Sequence, residues 1–177
     1  VTHTMSSTAN LQKIGILGGT FDPPHLGHLR IAQAAMDRFN LQSIYFVPCY
    51  QSPTGKQPIA SPAQRFEMLQ RMLQGHPTFK ADNRELTRQG ISYTIDTLKS
   101  YRAEYPDTPL YLIIGSDNFE TFETWRAYEK ILEEVNLIVV NRRTKNFERH
   151  LKGKILHLPI PFIDISATDI RQKIKNN

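Results

Sequence analysis

The chain has 177 residues, 40% of them hydrophobic. That is enough for one well-buried core and short for two, so a single domain over residues 11–177 is expected. The formal net charge of +5 suits anionic ligands, but the basic residues are spread along the chain without an aromatic-interleaved RNA signature, which favours a phosphate-bearing small molecule over nucleic acid. No apolar stretch approaches the roughly 20 residues of a membrane span, and the one cysteine, Cys49, cannot form an internal disulfide, so a cytoplasmic protein is expected.

The first ten residues, VTHTMSSTAN, are small and polar and read as a disordered tail. Apolar runs then alternate with amphipathic segments, the pattern of βα units wound into a doubly wound, Rossmann-like parallel α/β sheet. Strong strands are expected at 13–19, 43–49, 109–115 and 136–141, and weaker ones at 79–81 and 154–158. A helix over 26–39 carries Leu29, Ala32, Ala35, Met36 and Phe39 at helical spacing. Residues 50–60, YQSPTGKQPIA, are rich in turn formers and are expected to be a mobile loop beside a site. Ser61-Pro62-Ala63-Gln64 has the form of a capping box opening a helix to about residue 74. Further helices are expected from Thr94 to before Pro106, as one or two segments over 118–133, and from Ser166 to near the end.

Four stretches carry chemistry. In GILGGTFDPPHLGH (15–28), Gly18 and Gly19 follow a buried strand and are expected to make a sharp turn and a close approach to a ligand. His25 and His28 then share one face of the first turn of a helix, where free N–H groups favour phosphate. Neither a Walker loop nor a dinucleotide fingerprint is present, and the scattered remaining histidines give no metal complement. A purely structural turn with surface histidines stays open. In residues 162–174, FIDISATDIRQKI, Ser166 fits a helix N-cap; Arg171 one turn in, with the Ser166 and Thr168 hydroxyls, would make a second phosphate cradle. LIIGSDNFETFETW (112–125) ends a buried strand in Gly115, Ser116 and Asp117, at the edge where doubly wound sheets bind ligands. Asp117 also suits a helix cap, and Trp125 suits core packing. ELTRQGISYTIDTL (85–98) reads as a turn at Gln89-Gly90 and then a helix from Thr94.

The string GGTFDPPHLGH resembles the H-x-G-H signature of the nucleotidylyltransferase superfamily, with His25, Gly27 and His28 in register. Class I aminoacyl-tRNA synthetases share a related motif but are far longer. The other three stretches are similar to elements of bacterial nicotinate mononucleotide adenylyltransferases, in family order. The resemblance implies adenylyl transfer from ATP to nicotinate mononucleotide, giving nicotinate adenine dinucleotide and pyrophosphate, with Mg²⁺ carried by the ATP.

The resemblance also implies roles. His25, His28 and Arg171 would be catalytic; Gly18, Gly19, Thr20, Phe21, Gly115, Asp117, Ser166 and Thr168 would bind ATP; Lys56, Tyr93, Thr94, Trp125, Arg142 and Arg143 would bind the mononucleotide. Lys56 stands in Ser-Pro-Thr-Gly-Lys where many relatives have a Pro-Pro-His-Lys-like run, so the charge is kept and the histidine is not. Arg142 and Arg143 equally suit a solvated surface pair. The alternatives are an amide or other phosphate acceptor on the same scaffold, and a non-catalytic nucleotide-binding module.

Overall fold

The computed structural model describes residues 12–140, 152–161 and 165–177; the expected N-terminal tail and the Arg142–Arg143 pair lie outside them. Strands β1 (Ile14–Gly19), β2 (Ser43–Pro48), β3 (Phe79–Ala81), β4 (Leu110–Gly115), β5 (Asn136–Val140) and β6 (Ile155–Leu158) match the expected runs closely. Every pairing is parallel, in the order β3-β2-β1-β4-β5-β6. The order reverses between β1 and β4, which leaves a crevice at the carboxyl ends of those two strands, the point where such sheets bind ligands.

Strand periodicity explains why the sheet is covered on both faces. On β4, Leu110, Leu112 and Ile114 enter one buried cluster and Ile113 the other; on β1, Ile14 and Ile16 oppose Leu17 in the same way. Helices α1 (Leu26–Phe39) and α2 (Pro62–Met72) bury Ala32, Ala35 and Leu69 on one face. Helices α4 (Thr94–Glu104) and α6 (Tyr128–Glu134) bury Ile95, Leu98, Tyr101, Ile131 and Leu132 on the other. The capping box at Ser61 forms as its residue pattern indicates, with Gln64 N–H donating to Ser61 Oγ and Ser61 N–H to Gln64 Oε1, an arrangement worth about 1 kcal/mol.

Three details sharpen the expectation. A five-residue helix, α3 (Arg84–Arg88), precedes the turn at Gln89-Gly90. The region expected as 118–133 is divided: α5 (Ser116–Glu120) starts directly off β4, a 3-10 turn follows at Phe122–Thr124, and α6 begins after Ala127 adopts a left-handed φ of 53°. The helix expected to run to about residue 74 ends at Met72. Helix α7 (Ala167–Lys175) closes the chain and buries none of its residues. Among the described residues no helix is long and apolar enough to cross a membrane.

Candidate active site

The crevice is framed by the ends of β1 and β4. Gly18 and Gly19 finish β1, and Gly115 leads into α5 as its N-cap. Neither glycine has a left-handed φ; the residue just beyond them that does is Phe21, at 51°. What the glycines supply is room: a Cβ on Gly18 would meet only the Val47 carbonyl at 3.9 Å, and one on Gly115 would meet nothing within 4 Å. Asp117 lies exposed in the first turn of α5.

His25 and His28 occupy the N-cap and third positions of α1 and form a capping box out of imidazoles. Gly27 N–H donates to His25 Nδ1 at 3.1 Å and His25 N–H donates to His28 Nδ1 at 3.0 Å. An amide N–H can only donate, so each Nδ1 is an acceptor and each neutral ring carries its proton on Nε2. The rings stand 3.8 Å apart between centroids, and Phe21 packs at 4.8 Å on His28. Burial lowers the pKa of His25; burial, reinforced by the His25 ring, takes His28 down to about 3. Both rings are therefore neutral at physiological pH and offer Nε2–H donors. This narrows the expectation of free helix N–H groups at α1: the two rings take up the Gly27 and His25 amides, and each keeps an Nε2–H to donate.

The last helix reaches the same place. Arg171 Nη1 donates to the Asp22 main-chain carbonyl and lies 3.6 Å from the Asp22 carboxylate, while Nη2 reaches Thr168 Oγ1 at 3.3 Å. Ser166 is the N-cap of α7, its Oγ accepting Asp169 N–H at 3.1 Å. Asp22 sits between the two ends of the chain, its carboxylate also accepting Ile59 and Ala60 N–H at 2.9 and 3.0 Å. The segment expected as a loop is thus anchored at its end by Asp22 and at its start by Tyr50 N–H on Ser92 Oγ at 2.9 Å. Lys56 is exposed along it and has no ion pair among the described residues.

Tyr93 precedes α4 and no side chain caps that helix, which leaves its first N–H groups, at Thr94 and Ile95, available to an anion. The Arg126 guanidinium covers the Tyr93 ring at 4.6 Å. Trp125 is half-buried, packing at 5.2 Å on Phe122, so it belongs both to the core margin and to the surface.

Two further residues hold this frame: Arg65, which sequence reasoning passed over, and Glu85, the first residue of the stretch 85–98. Arg65 is fully buried on α2; Nη1 donates to the Thr20 and Cys49 carbonyls, each at 2.8 Å, and Nε to the Ala60 carbonyl at 3.3 Å. The signal was a charge four residues before Leu69 on the apolar face of a helix. Glu85 is buried under the α4 start, accepting Thr97 Oγ1–H at 2.7 Å, and burial pushes its pKa up to about 7. Among the described residues no three His, Cys, Asp or Glu side chains group as a metal site.

A parallel sheet with two imidazole donors and a guanidinium gathered at its switch point defines a phosphate-handling α/β domain of the nucleotidyl-transfer class. The family model described as cytidylyltransferase-like matches residues 16–173. Within that class the chain belongs to the nicotinate-nucleotide adenylyltransferase family. A relative from Listeria monocytogenes (strain HCC23), named "Probable nicotinate-nucleotide adenylyltransferase", is 42% identical over 166 residues, covering 93% of this chain and 87% of its own. One of the same name from Dictyoglomus thermophilum is 39% identical over 170 residues, covering 92% and 87%. The solved Plasmodium falciparum nicotinic acid mononucleotide adenylyltransferase complexed with APC shares the fold with a TM-score of 0.72 at 20% identity, over 91% of this chain and 83% of that one.

Proposed function

We propose that this chain transfers the adenylyl group of MgATP to nicotinate mononucleotide, releasing pyrophosphate and forming nicotinate adenine dinucleotide. The observation that carries the reading is the junction of Arg171 with Asp22, which brings the last helix to the turn leading into α1, where His25 and His28 stand. One triphosphate bound there would meet imidazoles at its α-phosphorus and the guanidinium at its tail. The relatives' shared name supports the same reaction.

The chemistry asks for positioning and charge. The attacking oxygen belongs to the mononucleotide phosphate and is already ionised, so no base is required. It bonds to the α-phosphorus as the bond to the β-bridging oxygen breaks, and that electron pair leaves with pyrophosphate, neutralised by the Mg²⁺ that arrives on ATP. Charge building on the α-phosphate oxygens is met by the Nε2–H groups of His25 and His28, fixed in advance by the capping box. Arg171, Thr168 and Ser166 hold the leaving phosphates. Gly18, Gly19, Thr20, Phe21, Gly115 and Asp117 line the nucleotide side.

The mononucleotide would lie toward Tyr93, Thr94 and Trp125, with Lys56, Arg142 and Arg143 supplying charge for its phosphate. The uncapped start of α4 and the Arg126 guanidinium at Tyr93 favour a carboxylate on the pyridine ring over an amide. The test is pyrophosphate release with the acid and the amide mononucleotide side by side. The acid is expected to give the higher kcat/KM by at least about tenfold, a margin of about 1.4 kcal/mol. Equal rates would refute the acid preference, and no release with either would refute the transfer itself.

A further inference from the structure

Arg65 has no role in the scheme above, yet it is the largest fully buried side chain among the described residues. Its bonds go only to carbonyls, and among the described residues no carboxylate pairs with it. Its remaining terminal nitrogen, Nη2, is buried without a hydrogen-bond partner. A buried, unneutralised charge is a poor way to stabilise a fold, since apolar replacements of similar volume are often at least as stable. Its three acceptors, however, come from the segments that border the crevice: Thr20 beyond β1, Cys49 beyond β2, and Ala60, whose own N–H binds Asp22.

The geometry of one peptide gives this pin a purpose. Arg65 draws the Thr20 carbonyl into the protein interior. In a trans peptide the N–H points opposite to the carbonyl, so the Phe21 N–H is turned outward, above the end of β1. Among the described residues it donates to nothing. Phe21 itself is held at a φ of 51°, a left-handed conformation that a bulky residue keeps only when its surroundings enforce it. Its ring is locked in turn between His28 and Phe46. Two independent features, a buried fork and a strained backbone, therefore fix the same peptide beside the imidazoles.

We infer that Arg65 is a positioning residue of the transfer reaction: by clamping the Thr20 carbonyl it aims the Phe21 N–H at the triphosphate as a third donor beside His25 and His28. This rests on the adenylyl-transfer reading. A lysine at the same place keeps the charge but presents a single nitrogen in place of the rigid fork, and a methionine keeps the apolar face of α2 without either.

The experiment compares wild type, Arg65→Lys and Arg65→Met by pyrophosphate release and thermal melting, with the ¹⁵N-resolved Phe21 amide followed as MgATP is added. Arg65→Met is expected to stay folded and to lose on the order of 10- to 100-fold in kcat, part of what the loss of one donor to developing charge produces. Its KM for ATP should change less than about threefold, the division expected of a transition-state contact. Arg65→Lys should recover only a small part of the rate, and the Phe21 amide should shift with MgATP in wild type alone. Full rate in Arg65→Lys would show that charge rather than geometry matters. A lowered melting temperature with undiminished kcat, or failure of both variants to fold, would assign Arg65 to stability; each of these results overturns the inference. Wild type that releases no pyrophosphate would instead overturn the transfer reading, while the Phe21 shift would still report on nucleotide.

Discussion

His28 has two separable duties, and two substitutions divide them. Through Nδ1 it closes the capping box on the His25 N–H, and its Nε2–H is the donor assigned above to the α-phosphate. Glutamine is the residue that ordinarily fills the third position of such a box, so His28→Gln keeps an acceptor for that N–H and spends its amide oxygen doing so. It cannot place a donor where Nε2 stood. Losing one preorganised donor to a developing oxyanion costs about 10²- to 10³-fold in kcat, or about 2.7–4 kcal/mol. His28→Ala loses the donor and also the cap, which adds about 1 kcal/mol of lost stability and about 2–4 °C in Tm for a chain of this size. The two variants should therefore share a slow kcat and differ in melting. Steady-state pyrophosphate release gives the rates, and differential scanning calorimetry gives Tm. If His28→Gln turned over within about threefold of wild type while His28→Ala did not, His28 would act as a helix cap and its catalytic assignment would fall.

Four further outcomes follow from the same geometry. Because His28 titrates near 3 and His25 below its ordinary value, kcat should hold level from about pH 6 to 8.5, whereas a required imidazolium would make it fall above about pH 6.5. The same depression means the unfolded chain binds protons more readily between pH 6.5 and 3, so the His28 contribution to stability is present above 6.5 and is lost as pH falls. Glu85, raised to about 7, runs the opposite way. The difference between wild type and His28→Gln in urea unfolding at pH 7 and pH 5 isolates the histidine, at about 2 kcal/mol. Arg171→Lys should raise the KM for ATP on the order of tenfold, because lysine cannot span Asp22 and Thr168 with one fork. A double-mutant cycle with Asp22→Asn should be non-additive; additivity in the KM for ATP would show that Asp22 does not orient Arg171.

The sheet was readable from the sequence because doubly covered strands are nearly continuous apolar runs, as in residues 109–115 and 136–140. Strand order was not, since alternation of elements says which segments are parallel but not which are neighbours. Helix α3 escaped because RELTR is too short and too polar to show a period. The histidine pair was visible as a motif, while its use as a cap depended on which ring nitrogen faces the backbone. Phe21 shows the same limit. Two glycines beside it drew the expectation of a sharp turn, and the left-handed conformation there falls on the aromatic residue instead. Arg65 drew no reading from the sequence, because its role rests on three carbonyl partners from three separate segments.

The contact between Arg171 and Asp22 spans 149 residues, and the helix that delivers it buries none of its side chains. Elements held by so little apolar surface detach at a fraction of the free energy needed to melt a core. Warming should therefore peel this helix away while the six strands remain assembled, so that the protein goes silent at a temperature where spectroscopy still calls it native. Heat tolerance of the activity is set by the weakest seam of the molecule, and strengthening the sheet would do nothing to raise it.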